Sequence, residues 1–363
     1  MNILYNKTNN YDINSEFLLK NELFGDDFYK NIICSESFQR LKKISFLGAI
    51  DYTTSKQYKS SRYEHSIGVA ELALYVCKIR NYSKEIQDHV VVAALLHDIG
   101  HAPLSHSMES SFKDEFGIDH HIAGTNLLMG NKSKTSPLNK ILNKVDLSLV
   151  VNLIEQKSNE PFSDIFNSPI NVDTIDGIYR SLKYINKNIA INKRKITKAS
   201  FGAMQGNDES ILDEFWKKKN LVYKLLITTG ICSVADHISR EYFEDNKNRL
   251  NESFFYKKES SLTRGRKPIF RDFTYILQNI KLVQHSCLEH AKNIKKCVFD
   301  VTKREYKINS NQVISDSHKS GDIFKRFSCR KYKKKQYVSY ILNERSAVGE
   351  IQEQSQLKLK LDY

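Results

Sequence analysis

Apolar residues recur at helical spacing along most of the first 250 positions, and this pattern predicts a chain that is mainly α-helical. The apolar positions from Arg62 to Ile79 predict one long helix. Residues 90–96 are continuously apolar, so we expect this run to be buried on every side, and it leads directly into His97 and Asp98. Further helices are predicted over residues 35–47, 138–143, 147–156, 209–246 and 272–297, and from His120 and Asp173 onward.

Alternating apolar and polar residues replace this pattern near the C-terminus, where residues 298–308 and 337–342 predict strands. The basic stretch 184–207 predicts an exposed loop or hairpin, residues 254–268 predict a polar linker, and residues 1–30 predict an irregular lead-in with one short helix. The expected organisation is mainly α. A lead-in (1–34) precedes a helical catalytic core (35–250), and a smaller α+β region (251–363) follows it.

Composition narrows the cellular setting and the class of partner. No window of the 363 residues reaches the ~18 consecutive apolar residues of a membrane span, and the six cysteines are scattered without a Cys-x-x-Cys pair. We therefore expect a cytoplasmic protein with free thiols and no membrane contact. The formal charge of +14 favours polyanionic partners, and the basic, aromatic stretch 325–335 is a candidate contact for nucleic acid, although an ordinary solvated face would have the same composition.

Histidines and aspartates concentrate where the predicted helices begin and end. Seven of the eleven histidines fall between positions 65 and 121. A buried carboxylate beside an imidazole needs a compensating partner, and a divalent cation suits both groups. Three predicted helices would bring together one mixed set of nitrogen and oxygen ligands, namely His65, His97, Asp98 and Asp173. Such a set fits Mg, Mn, Fe, Co or Zn, and the sequence does not choose among them.

These four residues match the H…HD…D pattern one for one, and the chain resembles the HD-domain phosphohydrolases. The segments 38–48, 62–68 and 97–106 are similar to the deoxynucleoside triphosphate (dNTP) triphosphohydrolase branch. The similarity extends from about Phe38 to Arg180. It implies an HD-domain helical core, a divalent metal ion, a nucleotide substrate and a homo-oligomeric assembly.

The resemblance also implies roles for individual positions. Arg62 matches an arginine that grips phosphate, and His101, His106 and His121 match catalytic histidines, although His120 is adjacent to the last of these. The substrate contacts implied are Arg62, Phe46, Leu47 and Asp176.

Three positions depart from the branch at the sugar end of its substrate pocket. Phe46 replaces a glutamine that meets the 3′-hydroxyl, Gly177 replaces a tyrosine under the deoxyribose, and Ser181 replaces an aspartate. The reaction class is therefore better defined than the sugar.

Three functions fit these residues. The leading hypothesis is metal-dependent hydrolysis of a nucleoside triphosphate, with a dNTP as the first candidate, to nucleoside and triphosphate. The same metal centre could instead cleave a phosphodiester, as in a nuclease or a phosphodiesterase acting on a nucleotide messenger, and the positive charge would help to hold such a polyanion. The third hypothesis is a nucleotide or nucleic-acid sensor without turnover.

Overall fold

The computed structural model describes residues 16–53, 58–129, 137–186, 191–202, 208–263, 273–283, 294–308 and 327–342. The fold is mainly α-helical with one small sheet, as the sequence predicts. The α-helices are α1 (Glu16–Gly25), α2 (Asp27–Cys34), α3 (Glu36–Arg40), α4 (Arg62–Ile79), α5 (Lys84–Leu96), α6 (His106–Phe116), α7 (His120–Met129), α8 (Pro137–Ile141), α9 (Leu147–Ile154), α10 (Asp164–Asn167), α11 (Val172–Ile185), α12 (Lys193–Phe201), α13 (Asp208–Val222), α14 (Gly230–Asn246), α15 (Ser260–Thr263) and α16 (Phe273–Gln278).

The helical hairpin of α4 and α5 is the centre of the molecule. The α4 helix begins at a capping box, in which the Ser61 hydroxyl accepts from the backbone N–H of Glu64 and the Glu64 carboxylate accepts from that of Ser61. Almost every residue of α4 from His65 to Cys77 is buried, and so is the run 90–96 of α5. Both helices agree with the sequence prediction, because continuous apolar runs must be covered on all sides.

Residues 16–34 are more ordered than the sequence predicts, and the earlier part of the predicted lead-in lies outside the described residues. In place of an irregular lead-in with one short helix, residues 16–34 form α1 and α2, and the Asp26 carboxylate caps α2 by accepting from the backbone N–H of Phe28. The apolar side chains of both helices join the core around α4 and α5. Polar residues are interspersed among these apolar side chains in the sequence, so the segment taken alone does not indicate that it packs on the core.

Two stretches of the helical core also differ from prediction. The helix expected over residues 35–47 ends at Arg40, and the chain continues through a 3-10 turn (Leu41–Lys43) to an extended residue at Ile44. A side chain at Gly48, where φ is +63°, would collide with the Leu104 backbone. The chain must bend before Gly48 to approach Leu104 this closely, so the predicted helix cannot continue to residue 47. Within the stretch expected to be an exposed loop, residues 193–201 form α12, because its buried face packs on the core.

The C-terminal region contains an antiparallel sheet of three strands in the order β1-β3-β2. The strands are β1 (Ile280–Leu282), β2 (Lys295–Ile308) and β3 (Phe327–Leu342). The helix predicted over residues 272–297 is wrong for most of the described part, since α16 ends at Gln278 and β1 follows it. Residues on both sides of position 250 share one apolar cluster, which includes Phe112 of α6, Phe255 and Tyr340.

Among the described helices, none is by itself long and apolar enough to cross a membrane. One pair, Asp208–Ile227 with Gly230–Arg249, meets the length and composition criteria only when taken together, and it is bent by 55°.

Candidate metal centre and catalytic cavity

Three helices bring the four candidate ligands to one point. His65 lies in the first turn of α4, His97 and Asp98 directly follow α5, and Asp173 lies in the first turn of α11. The His65 Nε2 atom is 3.3 Å from His97 Nε2, 3.0 Å from Asp173 Oδ1 and 3.7 Å from Asp98 Oδ2. The His97 Nε2 atom is 3.5 Å from Asp98 Oδ1 and 3.9 Å from Asp173 Oδ1.

These separations fit the coordination sphere of a single ion. Ligand atoms ~2.1 Å from a shared cation lie roughly 3.0–3.4 Å apart at angles between octahedral and tetrahedral. His65, His97 and Asp98 offer ligand atoms that lie within 4.8 Å of one another, and Asp173 adjoins this group through its contact with His65. An HD domain binds a divalent metal, and these three residues could hold it, with Asp173 as a further candidate ligand.

The second nitrogen of each histidine ligand is engaged, which orients its Nε2 atom toward the shared point. His97 Nδ1 is 2.8 Å from the backbone oxygen of Ala94, and that pairing requires Nδ1 to carry the proton. His65 Nδ1 is 2.9 Å from Asp176 Oδ2. Such outer hydrogen bonds fix the tautomer of metal-binding histidines.

Asp176 occupies a different place from the one the sequence analysis expects. Its side chain is fully buried behind His65, and its carboxylate also pairs with Arg180 and Lys193, so it does not line the cavity as a substrate contact. A side chain at Gly68 would collide with this carboxylate, which explains the glycine on α4. Asp176 therefore orients His65.

The electrostatics favour a bound cation. Burial lowers the pKa of His65, but the carboxylates of Asp173 and Asp176 outweigh it and raise that pKa to about 9. Burial alone would raise the pKa of Asp98, yet nearby His97 and Arg62 hold it well below its usual range. The candidate ligand carboxylates therefore stay ionised. The proton that His65 carries lies where a metal ion would bind.

Arg62 links the metal centre to the neighbouring loops. Its Nη1 donates to Asp98 Oδ2 at 2.9 Å, its Nε donates to the Ser105 hydroxyl at 3.0 Å, and its Nη2 donates to the Phe46 carbonyl at 3.0 Å. These bonds use three of the five guanidinium N–H groups. The side chain is 6% exposed and lines the cavity, where a phosphate could accept from the two other N–H groups.

A wall of imidazoles lies beside the ligands. The buried ring of His101 stacks on that of His120, with centroids 4.3 Å apart and an interplanar angle of 7°, and His106 meets both rings edge-on. Burial, reinforced by the charge of Arg62, holds the pKa of His101 well below its usual range. Its Nε2 lies 3.1 Å from Asp98 Oδ1, and its Nδ1 makes no hydrogen bond with a described residue. A neutral imidazole in this position can offer Nδ1 to a substrate.

His120 and His121 are adjacent, and they differ in their contacts with Glu109. His120 Nδ1 is 2.6 Å from Glu109 Oε1, and His106 Nδ1 is 2.9 Å from Glu109 Oε2. His121 also lines the cavity but is exposed, and no ion pair to Glu109 joins it. Glu109 was missed in the sequence. Its position three residues after His106 was the available signal, because that spacing places two side chains on one face of a helix, but the sequence analysis predicted no helix there.

The cavity has a volume of about 540 Å³. Its walls include the expected Phe46 and Leu47 and the three positions that depart from the resembled branch. The ring of Phe46 lies over Gly177, since a side chain at Gly177 would meet Phe46 Cζ at 3.7 Å. Sequence reasoning missed three lining residues, which are Lys219 of α13, Tyr223 of the π-helical turn that follows it and Asp236 of α14. No motif marks them, because only the tertiary fold brings these helices to the site.

Comparisons with known proteins agree with this architecture. The HD domain family matches residues 62–175. Over 164 residues the chain is 29% identical to the uncharacterised protein YwfO of Bacillus subtilis, and the match covers 44% of this chain and 37% of that protein. A homologue of the uncharacterised protein MG461 from Mycoplasma pneumoniae is 32% identical over 165 residues, covering 41% of this chain and 37% of that protein. The chain therefore spans little more than a third of these two relatives.

A deoxynucleoside triphosphate triphosphohydrolase SAMHD1 homologue from Dictyostelium discoideum is 37% identical over 98 residues, which are 25% of this chain and 19% of that protein. A crystal structure of a hypothetical protein from Aquifex aeolicus shares the fold, with a TM-score of 0.57 and 18% identity, covering 86% of this chain and 91% of that one. The family match and the converging histidines and aspartates lead to one conclusion: residues 62–175 of this chain form an HD domain.

Proposed function

We propose that this protein hydrolyses nucleoside triphosphates, with a dNTP as the first candidate, to the nucleoside and triphosphate. One observation carries the proposal: the metal-ligand set opens into a cavity of about 540 Å³ with two chemically different walls. The wall with Arg62 and the histidines suits a polyphosphate, and the wall with Phe46, Val222 and Tyr223 suits a sugar and a base. The name of the Dictyostelium relative supports the same substrate class.

In this proposal His65, His97, Asp98 and Asp173 hold the divalent ion. When bound, the ion polarises a phosphate oxygen and lowers the pKa of an attacking water. Arg62 keeps Asp98 in position through its Nη1 bond and offers its remaining donors to a phosphate. Asp176 holds His65 from behind, so that Nε2 keeps its direction when a substrate enters.

In this proposal a histidine of the imidazole wall supplies the proton that the leaving oxygen takes up. The Glu109 carboxylate accepts from Nδ1 of both His106 and His120, and these bonds orient both rings at the cavity wall. A protonated imidazole can donate to the oxygen that leaves with the nucleoside, as a general acid does. His101 stays neutral and can hydrogen-bond a phosphate. Within this scheme the Glu109–His120 pair takes the role that the sequence analysis gave to His121.

The altered sugar end supports a relaxed choice of sugar. Phe46 offers no donor to a 3′-hydroxyl, and its ring fills the space above Gly177. A site that lacks hydrogen bonds to a hydroxyl discriminates by only ~1–3 kcal/mol per group. Ribonucleotides should therefore be poorer substrates by a modest factor only.

A nucleotide panel tests the proposal. The protein is incubated with each dNTP and NTP under Mg, Mn, Fe and Co, and the products are identified by chromatography. Release of intact triphosphate supports it. Release of pyrophosphate or orthophosphate alone, cleavage of an oligonucleotide without triphosphate release, or binding without turnover would contradict it.

A further inference from the structure

The strands β2 and β3 form a long basic ribbon, which we define as residues 295–308 paired with residues 327–340. Fourteen consecutive residue pairs run from Lys295↔Tyr340 to Ile308↔Phe327. The two strands contain ten Lys or Arg residues and two acidic ones. This surplus of eight positive charges is more than half of the formal +14 of the chain. Neither the metal centre nor the cavity uses any of it.

The pairing register separates the two faces at the base of the ribbon. Cys297 and Tyr340 belong to the face that packs in the apolar cluster with α14, and both are 1% exposed. The opposite face is open, with Tyr337 73% exposed and its cross-strand neighbour Val298 52% exposed. Every second residue of a strand points to the same face, so the side chains of Lys333 and Lys335 lie on the open face with Tyr337, and they are also exposed.

The ribbon is mounted firmly on the helical core. At the start of α14, a side chain at Gly230 would meet Leu282 Cδ1 at 3.2 Å and Val338 Cγ2 at 3.6 Å, so the sheet lies close against the helix backbone. The third strand, β1, pairs with β3 from Ile280↔Leu342 to Leu282↔Tyr340. A supported ribbon can present its open face without the ordering cost of a loose hairpin.

Charge spacing and shape indicate the partner. Alternate residues of a strand are about 6.8 Å apart, which equals the rise of two base pairs of B-form DNA at about 3.4 Å each. A two-stranded antiparallel ribbon also fits the major groove, which is about 12 Å wide. We propose that the open face of this ribbon, with Lys333, Lys335 and Tyr337, binds the backbone of duplex DNA without sequence preference. This binding is separate from nucleotide hydrolysis.

The test measures binding of the 363-residue chain to a fluorescent 30-base-pair DNA duplex by anisotropy, at 50 and 200 mM NaCl. The test variant is Lys333→Glu with Lys335→Glu. The matched control is Lys20→Glu with Lys30→Glu, two exposed lysines on α1 and α2 whose reversal changes the net charge equally. Circular dichroism melting of all three proteins excludes unfolding. Each lost phosphate contact lowers the slope of log affinity against log salt by about 0.9, so two contacts account for about a twelvefold difference over this salt range.

The native protein and the control should lose affinity with salt equally, and the ribbon variant should bind more than tenfold more weakly at 50 mM with a slope smaller by about two. Three results overturn the proposal. The first is failure of the native protein to bind the duplex at 50 mM NaCl. The second is a loss of affinity in the control as large as that in the ribbon variant. The third is tighter binding of duplex RNA or of anionic phosphatidylserine vesicles than of the DNA, which would assign the face to another partner.

Discussion

Glu259 should be a positioning residue for the loops that hold Arg62, although it lies outside the HD domain match. Its side chain is buried, and Oε1 accepts from the Leu104 backbone N–H at 2.9 Å and the Ser45 backbone N–H at 3.1 Å. The Ser45 hydroxyl donates to the same oxygen, and the Tyr52 hydroxyl donates to Oε2 at 2.9 Å. One carboxylate therefore ties together the two loops from which Arg62 takes its Ser105 and Phe46 partners.

Removing this carboxylate should cost a calculable amount. Glu259→Ala leaves the backbone N–H groups of Ser45 and Leu104 buried without an acceptor, at ~1–3 kcal/mol each, so the free energy of unfolding should fall by ~2–6 kcal/mol. The two hydroxyls can rotate toward other acceptors and add less. Leu104 and Ser105 also have positive φ angles of 62° and 47°. Backbone in that region is strained and should relax once its anchor is gone.

Glu259→Gln is the matched control for this change. The amide oxygen can accept the two backbone N–H groups, and the amide nitrogen can donate to Tyr52, so we expect a loss of only ~1 kcal/mol. Urea unfolding gives the stabilities. Steady-state hydrolysis at a temperature where both variants are folded gives the functional effect: the alanine variant should lose kcat/KM because Arg62 loses its Ser105 partner, and the glutamine variant should recover most of it.

Two results would refute this reasoning. If Glu259→Ala lowers the free energy of unfolding by less than ~1 kcal/mol, the backbone groups have other acceptors. If the glutamine variant is as inactive as the alanine variant while both remain folded, the negative charge of Glu259 matters and its role as an acceptor does not.

Three further predictions concern neighbouring groups. Arg62→Lys keeps the charge but loses the planar set of donors, so turnover should fall about tenfold or more with the fold intact, and unchanged kcat and KM would show that Arg62 has no part in the reaction. A double-mutant cycle at Phe46 and Gly177 is assayed on dGTP and GTP. Gly177→Tyr alone should impair activity because the new tyrosine ring needs the space that Phe46 occupies, whereas Phe46→Gln with Gly177→Tyr should recover activity and prefer dGTP over GTP more strongly than the native protein does. Strict selectivity of the native protein for dGTP would contradict this prediction. Burial raises the pKa of Asp51 to about 7, so the folded state keeps a proton that the unfolded state releases above pH ~4. Relative to Asp51→Asn, the native protein should therefore lose stability as pH rises from 4 to 7, by up to ~4 kcal/mol, and a stability difference that is equal at pH 5 and pH 8 would be evidence against it.

The parts of the fold that local sequence determines were predictable. The α4 and α5 helices follow from continuous apolar runs and from the Ser61–Glu64 capping box. Alternation predicted most of β2 and the last six residues of β3, whereas residues 327–336 of β3 were not predicted as a strand. The pattern of His65, His97, Asp98 and Asp173 could be chosen because two of the four are adjacent and the others start predicted helices.

Contacts between distant segments explain what the sequence did not reveal. Glu259 meets Leu104 across 155 positions, and it lies in a stretch whose composition predicts a solvated linker. Lys219 and Asp236 reach the cavity only because α13 and α14 bend around it. The choice between His120 and His121 depends on where α7 begins, since one residue rotates a side chain by about 100° around the helix.

The most direct test of the central claim measures metal content and turnover together in the native protein and in Asp98→Ala. The substitution removes one proposed ligand and the buried partner of Arg62, and helical content by circular dichroism should stay near the native value. We predict about one equivalent of divalent metal in the native protein by mass spectrometry, and loss of both metal and hydrolysis in the variant. Full turnover by Asp98→Ala without bound metal would contradict the account.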